Sequence, residues 1–188
     1  TISVLITGTR ASSLGSVGQI GRTIEKNIKI SANLLLATKT LRGGPIANTG
    51  PVIPKAETAS TYTADWILSN TWNDISSAKV TTQLPSYVEW TGITNPSTAN
   101  IIYDTDTRIV TWTPDSVSAG AGFNLPPKEV FFQLKIIPSL SQVGDAPQLT
   151  GNISVTANDT FTNKIISFTS PALTTQTADS NNQGYVTK

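Results

Sequence analysis

The stretch from Ala59 to Thr71 constrains the fold of this chain more than any other. Its residues alternate: Tyr62, Ala64, Trp66 and Leu68 fall on one face, and Thr61, Thr63 and Asp65 on the other. A period of two over such a run marks a β-strand with one buried and one wet face. Tyr62 and Trp66 bring large apolar area to one place on the buried side. The stretch reads as the central strand of a β-sandwich, and most of the chain after it repeats the same alternation.

Before it, Thr1 to Thr7 reads as a strand on Ile2, Val4 and Ile6, and Arg10 to Gly21, rich in Ser and Gly, as a loop. Ile20, Ile24 and Ile28 recur every four residues, as in a short helix. Ile28, Ile30, Ala32, Leu34 and Leu36 alternate strictly, which predicts a strand from about Lys26 to Ala37, with a helical turn before it as the alternative. Gly43-Gly44-Pro45, Pro51 and Pro54 make Leu41 to Lys55 an irregular connector and the best domain boundary.

After it, Ala78, Val80, Thr82 and Leu84 alternate, and Tyr87 to Trp90 continues as a short extended piece. Ile101 to Tyr103 and Arg108 to Trp112 flank Asp104-Thr105-Asp106-Thr107, the pattern of a hairpin. Asp115 to Lys128 is a long crossing loop. Glu129 to Ile137 places Val130, Phe132, Leu134 and Ile136 on one face, while Phe131 and Ile137 make the other partly apolar, so burial on both sides is expected. Ile153 to Ala157 and Lys164 to Phe168 are the last strand pair, and Thr174 to Lys188 reads as a polar tail or linker. Closely spaced strands, Pro/Gly-rich loops and no long helical pattern predict an all-β chain, a sandwich with Greek-key connections or, failing that, a closed barrel. Tyr62, Trp66, Leu68, Val80, Phe132, Leu134, Val155 and Phe168 are expected to share one core.

Composition narrows the function classes. Charged residues make up 13% of the 188 residues and the formal net charge is +1, which gives no basic face for nucleic acid. No apolar run reaches the roughly 18 residues of a membrane span. Without Cys there are no disulfides or thiolate metal sites, and without His the usual general base is missing. The chain has no Met and opens inside an alternating run, which reads as a processed product or a piece of something longer.

The segment GPVIPKAETASTYTADWILSNTWNDISSAKVTTQLPSYVEWTG carries a Gly-Pro-x-x-Pro opening, then Thr-Tyr-Thr-x-x-Trp, Ser-Asn-Thr, an Ala-Lys-Val strand and Leu-Pro-Ser-Tyr-Val-x-Trp. With IIYDTDTRIVTW, KEVFFQLKIIPSLSQVGDAPQLTG and ANDTFTN, it resembles an immunoglobulin-like conserved-repeat module of predicted bacterial surface proteins, over residues 44 to 175. The resemblance implies an extracellular, cell-surface location and an immunoglobulin-like sandwich over residues 44–176. Residues 1–43 would then be the end of an upstream module, or strands that complete a sandwich, and residues 177–188 a tail. It also offers Trp66 for the core position of the immunoglobulin Trp, here without a disulfide to pack against.

Candidate chemistry is sparse. Glu57, Glu89 and Glu129 lie at or beside predicted strands with no sign of convergence, so solvated strand-edge carboxylates explain them. Asp104 and Asp106, with Asp65, Asp74, Asp115 and Asp159 elsewhere, raise calcium, but a hairpin turn explains Asp-Thr-Asp-Thr more simply. Lys79, Lys135, Asn152 and Glu129 are candidates for a Lys–Asn isopeptide crosslink, although no spacing singles them out. Trp72, Trp90, Trp112 and Tyr87 are candidates for a sugar-binding face. Trp90 and Trp112 continue strand alternation and suit the core, which leaves Trp72, in a polar loop, as the surface candidate. Asn152 and Asn158 are glycosylation sequons that matter only in a glycosylating host.

No catalytic, cofactor-binding or metal-binding set emerges. The expected role is a non-catalytic structural module of a bacterial surface stalk, coat or filament, partnered by neighbouring modules or subunits. The alternative is an adhesin that recognises glycan or protein through its loops. Residues 1–43 are not expected to fold alone.

Overall fold

β-strands exist only as ladders, so the pairing partner of each alternating run decides whether it becomes a strand. A computed structural model describes residues 1–11 and 17–188 and divides the chain into two compact units, Thr1–Ile30 and Ser31–Lys188.

The first unit is a hairpin. β1 (Ile2–Ala11) pairs antiparallel with β2 (Val17–Lys26), from Ile2 opposite Lys26 to Ala11 opposite Val17. The register sets Ile2, Val4, Ile6, Ile20 and Ile24 on one face, all exposed, together with Arg10, Arg22 and Lys26. The helical turn considered around Ile20 to Ile28 does not form. A spacing of four is also two periods of two, and Ile20 and Ile24 face the same side of β2. Strand flanks stand where a loop was predicted over Arg10 to Gly21; its middle, residues 12–16, lies outside the described residues.

The predicted strand from Lys26 to Ala37 is also corrected. The β2 ladder ends at Lys26 and the next begins at Leu34, so the residues between them join neither ladder. Ile28 and Ile30 are exposed.

The second unit is a sandwich. β3 (Leu34–Leu41), β4 (Ser60–Asn70), β10 (Lys128–Ile136) and β6 (Val88–Asn95) form one sheet in the order β3-β4-β10-β6. The other sheet runs β12-β11-β5-β8-β7, built from β5 (Ile75–Gln83), β7 (Ile101–Asp104), β8 (Ile109–Trp112), β11 (Ile153–Asp159) and β12 (Lys164–Ser170). A short β9 (Ser116–Val117) adds to β5. Without the β7–β8 hairpin this is the Greek-key order of an immunoglobulin constant-type sandwich. Both sheets keep open edges, which sets aside the closed barrel.

The core lies between the sheets. Trp66 is fully buried at its centre, edge-on to Phe132 with ring centroids 4.8 Å apart and tilted against Trp112 at 6.4 Å. Tyr62, Leu68, Val80, Leu134 and Val155 are buried with it, and Phe168 packs half-buried at its margin. Trp112 is buried as expected, whereas Trp90 is half-buried, stacked on Tyr103 at 5.8 Å.

Three expectations about the sandwich fail. Its start is not Gly44: β3 is hydrogen-bonded along its length to β4, from Leu34 opposite Asn70 to Leu41 opposite Thr63, so the unit begins at Ser31. The second face of β4 is not wet: Thr61, Thr63 and Asp65 are all buried. The tail is not loose. Leu173, Thr175, Thr177 and Val186 are buried, and main-chain bonds join Val186 to Asp145 and Thr187 to Pro54. Polar segments can be held this way because their backbone groups find partners without any apolar pattern.

Candidate functional site

The outer face of β4 is closed by the proline-rich connector, through polar groups. Asn48 Nδ2 donates to Thr63 Oγ1 at 2.8 Å, and Thr49 N donates to Thr61 Oγ1 at 2.6 Å. Gln133 Nε2, from β10, donates to Ala47 O at 2.9 Å. The Arg42 guanidinium donates to Thr49 O, Gly50 O and Thr61 O and lies 5.1 Å from the centroid of the Tyr62 ring. Burial pushes the Tyr62 hydroxyl up to about 12, with Arg42 opposing.

Asp65 sits at the edge of this layer, opposite Lys39 on β3 and Phe131 on β10. Among the described residues its Oδ1 is buried without a hydrogen-bond partner. Burial, reinforced by the Glu129 carboxylate and opposed by Lys39, pushes its carboxyl up to about 6. A raised carboxyl alone is a proton-binding site, not a catalytic one; an acid–base step needs a reacting group in reach.

Asp159 shows the opposite treatment. Its Oδ2 accepts from Ala32 N at 2.7 Å and Asn73 Nδ2 at 3.0 Å, and its Oδ1 from Phe161 N at 2.9 Å and Thr162 N at 3.0 Å. Burial would raise this carboxyl, but the donors from Thr162, Ala32 and Asn73 outweigh it and hold it well below the usual range. Asp179 accepts likewise from Arg42 N and Gly43 N and is also held low, its burial outweighed by the Gly43 and Arg42 amides. These carboxylates fasten chain segments together.

The other candidates do not converge. Asp104 Oδ1 accepts from Asp106 N at 2.9 Å and Thr107 N at 3.3 Å, closing the β7–β8 turn, and the Thr107 and Asp106 amides lower its carboxyl. Among the described residues no cluster of three carboxylates could hold a metal. The isopeptide candidates are dispersed: Lys135 pairs at 2.8 Å with Glu89, Lys79 lies on β5 in the other sheet, and Lys79, Asn152 and Glu129 are all exposed. Glu57 is exposed in a turn. Asn152 is exposed ahead of β11, and Asn158 lies within it. No helix of the described residues is long and apolar enough to cross a membrane.

Two adjacent loops at one end of the sandwich do meet. Thr71, Trp72, Gly120, Phe123 and Asn124 line a cleft of about 360 Å³. Trp72 is 71% exposed and Phe123 65%. Sequence reasoning found Trp72 but missed Phe123 and Asn124, which carry no periodic signal within the Gly-rich crossing loop. Tyr87 is also exposed, away from this cleft.

No family model matches the chain, and no curated protein matches it. Solved structures similar in trace include a variant of BcpA, the major pilin subunit of Bacillus cereus, at 13% identity and TM-score 0.47, covering 90% of this chain and 47% of that one. They also include full-length SpaD, the major pilin of Corynebacterium diphtheriae, at 13% identity and TM-score 0.45, covering 75% of this chain and 34% of that one. The chain thus spans less than half the length of either pilin, and the likeness assigns it no activity or partner.

Proposed function

We propose that this chain is a non-catalytic structural module of a bacterial cell-surface assembly, a stalk, coat or filament, and that copies join through the hairpin of residues 1–30. The observation that carries this reading is the uncovered face of that hairpin. Five branched aliphatic side chains, Ile2, Val4, Ile6, Ile20 and Ile24, are exposed on it among three cations. A two-stranded sheet has no interior and is marginal alone in water. A contiguous apolar face of this kind marks an interaction surface. Arg10, Arg22, Lys26 and Lys29 against Glu25 give residues 1–30 a formal charge of +3, and since the chain totals +1, residues 31–188 carry −2. Unlike charges on the two units favour head-to-tail association of copies, the heterologous contact that builds open filaments.

The sandwich suits a load-bearing role. Asp159 and Asp179 fasten separate chain segments together, and the terminal segment is hydrogen-bonded back onto the body. Sedimentation velocity across a concentration series tests the reading. The intact chain is expected to self-associate, and Val4→Glu with Ile24→Glu to leave monomers with an unchanged melting temperature. A chain that stays monomeric at its highest soluble concentration, or a double variant that associates as before, overturns it.

A further inference from the structure

We propose that the cleft between Trp72 and Phe123 is a binding site for a neutral saccharide. The loop that carries Phe123 is tied to the end of β4 and to the Trp72 loop by hydrogen bonds. Asn70, buried at the end of β4, donates its Nδ2 hydrogens to Asn73 O at 2.6 Å and Val117 O at 3.1 Å, and its backbone N–H to Ala121 O at 2.8 Å. Gly120 N donates to Thr71 O at 2.9 Å, which ties the Trp72 loop to the Phe123 loop. Gly120 O in turn receives the N–H groups of Phe123, Asn124 and Leu125 at 3.0, 3.0 and 3.1 Å. Asp74 Oδ1 accepts from Ala119 N at 2.8 Å.

Gly120 and Gly122 both take positive φ, 81° and 82°, and neither tolerates a side chain. A Cβ on Gly120 would stand 1.9 Å from Asn124 Oδ1, and one on Gly122 would stand 2.2 Å from Ser69 Oγ. The glycine at 120 therefore makes the place where the Asn124 carboxamide lies. That carboxamide makes no hydrogen bond with the described residues, so its donors and acceptor are open to a ligand.

The lining selects the ligand class. Two exposed aromatic residues in the lining suit the C–H side of a pyranose, and the Asn124 carboxamide offers both hydrogen-bond senses to its hydroxyls. No charged side chain lines the cleft, so nothing there repays the desolvation of an anionic ligand. The hydrogen bonds hold the backbone of the two loops, which lowers the ordering cost of binding there. The proposal does not rest on the assembly proposed above.

The test uses the intact chain on an array of neutral oligosaccharides, with gluco-, manno- and N-acetylhexosamine-linked series, alongside sialylated and sulfated glycans and a library of proline-rich peptides. The expected result is binding to a neutral series, weakened at least tenfold by Trp72→Ala and by Phe123→Ala, with unchanged melting temperatures because both rings are exposed. Val4→Glu with Ile24→Glu should leave that binding intact, and Trp72→Ala should leave self-association intact. The proposal is overturned if no neutral glycan binds at millimolar concentration, if binding survives both ring deletions, or if only anionic glycans or peptides bind.

Discussion

The hairpin of residues 1–30 and the strand β4 follow the same sequence grammar to opposite outcomes. Ile2, Val4 and Ile6 recur at every second residue just as Tyr62, Ala64 and Trp66 do, yet the first set is exposed and the second buried. β1 has one neighbouring strand and no facing sheet within its unit, while β4 has β3 and β10 beside it and a second sheet below. Alternation encodes which side of a strand is apolar; the topology decides whether anything covers that side. Polar alternation is no safer a guide to solvent. Thr61, Thr63 and Asp65 look like a wet face in the sequence and are buried under a proline-rich connector.

The largest effect that sharpens this contrast is expected at Trp66. Trp66→Ala should destabilise the sandwich by about 3–5 kcal/mol, because the surrounding aromatics cannot collapse into the space of an indole. Chemical denaturation measures it. A change of under about 1 kcal/mol would remove Trp66 from the centre of the core.

Next comes Asp159. Asp159→Ala should cost about 2–4 kcal/mol at pH 7, because four donors lose a charged acceptor. The folded carboxyl titrates below its unfolded value. The stability it contributes is therefore present above about pH 4 and lost as pH falls through the folded value. The stability gap between the chain and the variant should narrow in acid; a gap constant down to pH 2 would contradict the assignment.

Asp65 should behave with the opposite sign and a smaller effect. Its folded carboxyl is raised to about 6, so folding takes up a proton between the unfolded value and that point. Stability is fullest below about pH 4 and declines as pH rises through 6. Asp65→Asn, neutral at every pH, should raise the melting temperature at pH 7 and lose that advantage near pH 4. A variant that is less stable at pH 7 would show that the ionised carboxylate has a partner.

What could be read from the sequence follows from these cases. The inward residues of β4 and β10 were legible, since apolar alternation and burial coincide there. The Asp104–Thr107 turn was legible because aspartate closes turns through its own backbone neighbours. The connector over β4 and the clipped terminus were not, because their bonds run from side-chain amides, hydroxyls and backbone groups to distant carbonyls, and no periodicity announces them. The strand over Lys26 to Ala37 failed in its middle, where residues 27–33 join neither the β1–β2 nor the β3–β4 ladder. The aromatic cleft was half legible: Trp72 stood out in a polar loop, but its meeting with Phe123 depends on the bonds from Asn70 to Ala121 and from Gly120 to Thr71.

Hydrogen–deuterium exchange of the intact chain over a range of protein concentrations tests most directly whether the hairpin is completed by assembly. The amides of β1 and β2 should exchange quickly in dilute solution and become protected as concentration rises, while those of β4 and β10 stay protected throughout. Equal protection of the hairpin at every concentration would contradict that account, because the hairpin would then be stable without a neighbour.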